Sequence, residues 1–95
     1  MNEKIIEKKL VKTVKNMGGM ALKFISPGMD GVPDRIVLFP GGRMGFVELK
    51  APGQKLRPLQ MRRIAQICRL GFRVYVVDGL EQIDEVLQKI GGDAQ

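Results

Sequence analysis

The chain has 95 residues, a length that supports one hydrophobic core and is too short to divide into two. With 44% hydrophobic and 27% charged residues it is neither a disordered nor a collagen-like chain, and no apolar run approaches the roughly 18 residues needed to cross a membrane. The net charge of +6 points to a polyanionic partner, while a single cysteine and no histidine exclude an internal disulfide, a histidine-ligated zinc site, a Ser-His-Asp triad and a Cys-His dyad.

Met1-Asn2-Glu3-Lys4 lacks the apolar stretch of a secretory signal, so the expected location is the cytoplasm. Residues 3–17 then read as a helix, with Ile6, Leu10, Val14 and Met17 at helical spacing and Gly18-Gly19 as the stop. Lys4, Lys8, Lys12 and Lys15 gather on its other side. Two acids break the pattern: Glu3 falls on the apolar stripe and Glu7 at its edge. The first turn tolerates an acid through the helix dipole, which leaves Glu7 as the placement that needs another reason.

Met20 to Ile25 is expected to be a short strand, and the loop 26–33, with two prolines and two glycines, holds little regular pairing. Asp34 opens the run Ile36-Val37-Leu38-Phe39, which reads as a strand buried on both faces. Pro40-Gly41-Gly42 turns the chain into a hairpin whose second strand runs from Met44 to Lys50. Ala51-Pro52-Gly53 ends that strand, and Leu56 to Leu70 forms a second amphipathic helix with Met61, Ile64, Ile67 and Cys68 inward. Phe72 to Val77 is a fourth strand. Residues 80–90 form a last helix through Ile83, Val86, Leu87 and Ile90, and 91–95 are expected to fray. The methionines, Tyr75 and Cys68 read as packing residues. The expected fold is α/β, one domain over residues 1–95. A helix between strands three and four implies a parallel crossover and hence a mixed four-stranded sheet.

The hairpin also concentrates charge. Glu48 and Lys50 project from one side of their strand, and pairing across the tight turn brings Asp34 near Glu48 or Lys50. Two carboxylates close together in a partly buried place repel unless a cation sits between them. Magnesium suits such a place, since it accepts oxygen ligands and commonly uses one or two carboxylates beside substrate phosphate. The main-chain carbonyl of Leu49, between Glu48 and Lys50, is a further candidate ligand. Gln60 is out of place on the buried stripe of the second helix, and a buried amide needs partners that the charged end of the sheet would provide.

Gly31-Val32-Pro33-Asp34 followed by Glu48-Leu49-Lys50 resembles the PD-(D/E)xK nuclease superfamily, and more narrowly the VRR-NUC family, whose small stand-alone members are often phage-encoded. Ser26-Pro27-Gly28, Phe46-Val47-Glu48-Leu49-Lys50, Gln60 and Gly71-Phe72-Arg73-Val74-Tyr75-Val76 fit the pattern in register. The resemblance implies a restriction-endonuclease-like αβββαβ core flanked by helices. It implies a Mg²⁺-dependent endodeoxyribonuclease, with Mn²⁺ substituting, in which Asp34 and Glu48 hold the metal with the Leu49 carbonyl and Lys50 is the catalytic lysine. Glu7 fits the superfamily's first-helix acid better than Glu3, touching the metal directly or through water, and Gln60 matches the family's second-helix glutamine. Lys23, Ser26 and Arg35 are candidate DNA contacts, and Gly28 and Gly31 let the loop backbone approach a phosphate. The implied activity is cleavage of branched or structured DNA by a homodimer of Holliday-junction resolvase type, in a bacterial or phage-infected cell. Alternatives are a flap- or nick-directed nuclease, a non-catalytic DNA-binding module, and a subunit whose basic faces meet an acidic protein.

Overall fold

The computed structural model describes residues 2–92. Helix α1 covers Glu3–Asn16, and its first turn is closed by Asn2, whose side chain accepts the Ile5 N–H at 3.1 Å. Three antiparallel strands follow, β1 Met20–Lys23, β2 Arg35–Phe39 and β3 Arg43–Leu49. Gly41 and Gly42 turn β2 into β3 with successive φ values of 87° and 77°, a pair of conformations that only glycines adopt without strain. Helix α2, Pro58–Arg69, crosses over to β4, Val74–Val77, which lies parallel to β3 and completes a mixed sheet in the order β1-β2-β3-β4. A 3₁₀ turn at Leu80–Gln82 leads into α3, Ile83–Leu87, and a widened turn over Gln88–Gly92 follows it. The α/β class, the element order and the mixed sheet are as expected from the sequence.

The sheet has two unlike faces. Val37, Val47, Leu49, Val77 and Phe39 point toward α1 and α3 and are sealed by Ile6, Leu10, Val14, Ile83, Leu87 and Ile90. Gly45 sits in this layer because a β-carbon there would come within 2.9 Å of Ile90, so its missing side chain admits the end of the chain. The opposite face carries Leu22, Ile36, Leu38, Met44, Phe46, Glu48, Val74 and Val76, and only part of it is roofed by α2.

That partial roof corrects several expectations. β2 is buried on one face only, since Leu38 is 37% exposed. Met61 and Cys68 of α2 point to solvent rather than inward, and Met20 and Met29 are likewise exposed. A helical stripe tells which side of a helix is apolar, but not how far the sheet beneath it reaches. The last helix is broken into three short pieces instead of running through 80–90. Gly91 and Gly92 belong to its final turn, and the remainder of the tail, 93–95, lies outside the described residues.

Candidate active site

The charged end of the sheet assembles by register. Arg35 pairs with Val47, so Asp34, one residue earlier, stands across from Glu48 at the strand end. One Asp34 carboxylate oxygen, Oδ2, accepts the main-chain N–H of Leu49 at 2.9 Å, which fixes the carboxylate against β3. A residue in an antiparallel ladder presents its N–H and C=O to the same neighbour. The Leu49 carbonyl therefore lies on the Asp34 side of β3.

Glu48 is the least exposed acid of this group, at 2%. Its Oε2 accepts a hydrogen bond from Gln60 Nε2 at 2.8 Å and lies 3.8 Å from Lys50 Nζ. Gln60 is in turn held at both ends, because its Oε1 accepts the Arg57 N–H at 2.9 Å in the first turn of α2. The buried amide foreseen on the apolar stripe thus has the partner at the charged end of the sheet that its burial demands. Burial and the nearby Asp34 charge push the Glu48 carboxyl up to about 7, with Lys50 pulling in the opposite direction. The other oxygen, Oε1, is buried without a partner.

An unpartnered buried oxygen beside a second carboxylate and a main-chain carbonyl is the donor set a hard divalent ion takes. Among the described residues no group of three or more His, Cys, Asp or Glu side chains is placed to hold a metal. The chain therefore offers two carboxylates and a carbonyl, a set that fits magnesium, which fills its remaining positions with water and substrate phosphate.

The two first-helix acids have different surroundings. Glu7 Oε2 receives two hydrogen bonds from Arg35, at 2.9 Å from NH2 and 3.1 Å from Nε, and Arg35 NH1 donates to the Ala21 carbonyl at 3.0 Å. Arg35 is thus folded under α1, with two of its N–H groups on Glu7 and a third on the Ala21 carbonyl. Glu3, one turn earlier, is the helix acid that feels the Asp34 and Lys50 charges; burial and then Asp34 raise its carboxyl. Glu3, Glu7, Lys23 and Asp34 line one pocket of about 260 Å³. Glu7 therefore borders the cluster while its charge is matched by Arg35.

The loop residues also separate. Ser26 lines a different, largely apolar pocket of about 520 Å³ with Phe24, Phe46, Phe72 and Arg63. The empty side of Gly31 (φ +88°) is where α2 comes close, at 3.0 Å from Leu59, so this glycine serves loop–helix packing. Gly28 (φ +82°) faces open space. Arg63 ties loop to helix by donating to the Asp30 carbonyl at 2.8 Å.

The VRR-NUC domain family matches residues 2–81 of the chain. A phage protein named "Putative nuclease p44", from Acyrthosiphon pisum secondary endosymbiont phage 1, is 51% identical over 78 residues, covering 82% of this chain and 84% of its own. A solved structure described as a VRR_NUC domain superposes with a TM-score of 0.84 at 30% identity, covering 90% of this chain and 94% of the other.

Proposed function

The chain belongs to the VRR-NUC domain family, and from that premise we propose that it is a metal-dependent DNA endonuclease that hydrolyses phosphodiester bonds in branched DNA as a homodimer. The observation that carries the proposal is the Asp34–Glu48–Lys50–Gln60 cluster, in which a buried carboxylate oxygen lacks any protein partner. Asp34, Glu48 and the Leu49 carbonyl would hold Mg²⁺ or Mn²⁺, with Glu3 or Glu7 reaching it through water. When bound, the ion supplies charge that polarises the phosphodiester and acidifies a coordinated water.

The chain's own groups do the rest. Gln60 fixes the Glu48 rotamer through Oε2, leaving Oε1 turned to its free side. The Leu49 N–H holds Asp34 in place, so neither carboxylate must reorganise when substrate arrives. Lys50, held near Glu48 Oε2, orients the attacking water and stabilises the charge that develops on the phosphoryl oxygens. A new P–O bond forms from water as one ester P–O bond breaks, and the leaving oxygen departs with a proton.

Branched DNA and a homodimer go together. One small domain carries one such cluster, whereas a four-way junction has two-fold symmetry and needs two cuts. The exposed apolar residues Leu22, Leu38 and Val76, on the sheet face that α2 leaves open, support a second copy there. No helix among the described residues is long and apolar enough to cross a membrane, which is compatible with action in the cytoplasm.

The test is cleavage of end-labelled four-way junction, flap and linear duplex side by side, with and without magnesium or manganese, for the native chain, Lys50→Ala and Asp34→Asn. Paired symmetric cuts in the junction, dependent on metal and lost in both variants while binding persists, are expected. Preferential flap cleavage would move the assignment to a flap- or nick-directed nuclease. Binding with no cleavage of any substrate would reduce it to a DNA-binding module.

A further inference from the structure

Between α1 and the start of β2 lies a second groove, of about 370 Å³, lined by Glu7, Lys8, Val11, Lys12, Lys15 and Arg35. It meets the pocket beside Asp34 at Glu7, which lines both. The one acid in the groove is already matched by Arg35 at 2.9 Å, so its remaining charge is that of three lysines. All three are exposed, and none is in an ion pair among the described residues. Spacing of i, i+4, i+7 puts them in one row on the helix. Three adjacent unpaired ammonium groups repel one another at low ionic strength, a cost that a bound polyanion removes.

We propose that this α1 groove is the seat of the DNA backbone next to the cleavage site, with Lys8, Lys12 and Lys15 neutralising phosphates of one strand. The row rises about 10 Å from Lys8 to Lys15 at 1.5 Å per residue, which matches about three nucleotide steps of B-form rise. The groove's other lining residues are Val11 and the mutually paired Glu7 and Arg35, none of them an unengaged base-reading group, so the groove suits sugar-phosphate irrespective of sequence. Continuity with the Asp34 pocket gives the strand a direction: it leaves the reacting phosphate past Glu3 and Glu7 and runs along α1 toward Lys15. The inference rests on the nuclease reading above and adds a location for the substrate arm.

The experiment measures the salt dependence of DNA binding by the full chain, using a labelled linear duplex and a labelled four-way junction in the Lys50→Ala background, where cleavage does not interfere. Lys8→Gln/Lys12→Gln/Lys15→Gln is compared with Arg43→Gln/Arg73→Gln/Lys89→Gln, which removes the same charge from a different pocket, at the hairpin end of the sheet. The slope of log K against log salt is expected to fall by about three for the α1 triple and by less than one for the control. With Lys50 intact, the α1 triple raises KM for cleavage at least tenfold and leaves kcat at saturating DNA within about twofold, since no reacting group is touched. Equal slope losses in the two triples, or none in the α1 triple, overturn the groove while leaving the nuclease assignment standing. Absence of any salt-dependent DNA binding in the Lys50→Ala parent overturns both. Melting curves on each triple confirm folding, which exposed lysines leave intact.

Discussion

The two faces of the sheet are built from similar strands and behave as different materials. Toward α1 and α3, Val37, Val47, Leu49 and Val77 are at most 1% exposed and the layer is closed by aliphatic side chains. Toward α2, the same strands present Leu38 and Val76 to solvent and a buried acid held by a glutamine, and Phe46 joins Phe24 and Phe72 from the flanking loops around an open pocket. The contrast separates stability from chemistry. One face contributes the apolar burial a short chain needs. The other accepts an unpartnered oxygen and uncovered apolar surface, features that destabilise an isolated chain and suit one that binds ions and partners.

Four tests probe that division, taken from the largest effect downward. Glu48→Gln, isosteric and still able to accept from Gln60, should lower kcat by on the order of 10³-fold or more in a cleavage assay while the fold survives. Leu10→Ala on the closed face should do the reverse: about 2–5 kcal/mol of stability lost in urea melts, with kcat at a temperature where the chain is folded nearly unchanged. Comparable losses of kcat from both would abolish the distinction between faces.

The third test is pH. A Glu48 carboxyl raised from 4.5 to about 7 means that the folded, metal-free chain retains a proton the unfolded chain has released. That contribution to stability is fully present below about pH 4.5, declines as pH rises toward 7, and is constant above it. The expected loss is about 3 kcal/mol between these limits, from roughly 1.4 kcal/mol per pH unit. Glu3, raised for similar reasons, adds a slope of the same sign. Glu48→Gln should flatten most of the decline in urea melts from pH 4.5 to 8 and be more stable than the native chain at pH 8. Saturating magnesium should also restore stability at pH 8, because it binds the charged folded form. The smallest effect is expected from Leu38→Ser on the open face: a change within about 0.5 kcal/mol in the folding of the separated protomer, together with weaker self-association by sedimentation velocity.

Much of the element order and of the charged cluster was legible in the sequence; the openness of one face was not. Hydrophobic spacing located the first two helices and the four strands within a few residues, and the Gly-Gly hairpin brought Asp34 near Glu48 or Lys50, of which the observed register selects Glu48. Gln60 stood out as a polar residue on an apolar stripe, and the structure gives it the carboxylate partner its burial demands. What stayed illegible depended on distances through space. Periodicity could not reveal that α2 roofs only part of the sheet, so Met61 and Cys68 were placed inward when they face solvent. Nor could it pair Arg35 with Glu7, since a helix and a strand 28 positions apart share no local pattern.

The most direct measurement is anomalous diffraction from crystals of the native chain and of Asp34→Asn soaked in manganese. The account predicts one strong peak bound by Asp34, Glu48 and the Leu49 carbonyl, at oxygen distances of about 2.0–2.3 Å, and its loss in the variant. A native crystal with no peak there, or with the ion held elsewhere while Glu48 Oε1 stays buried and unligated, would contradict it.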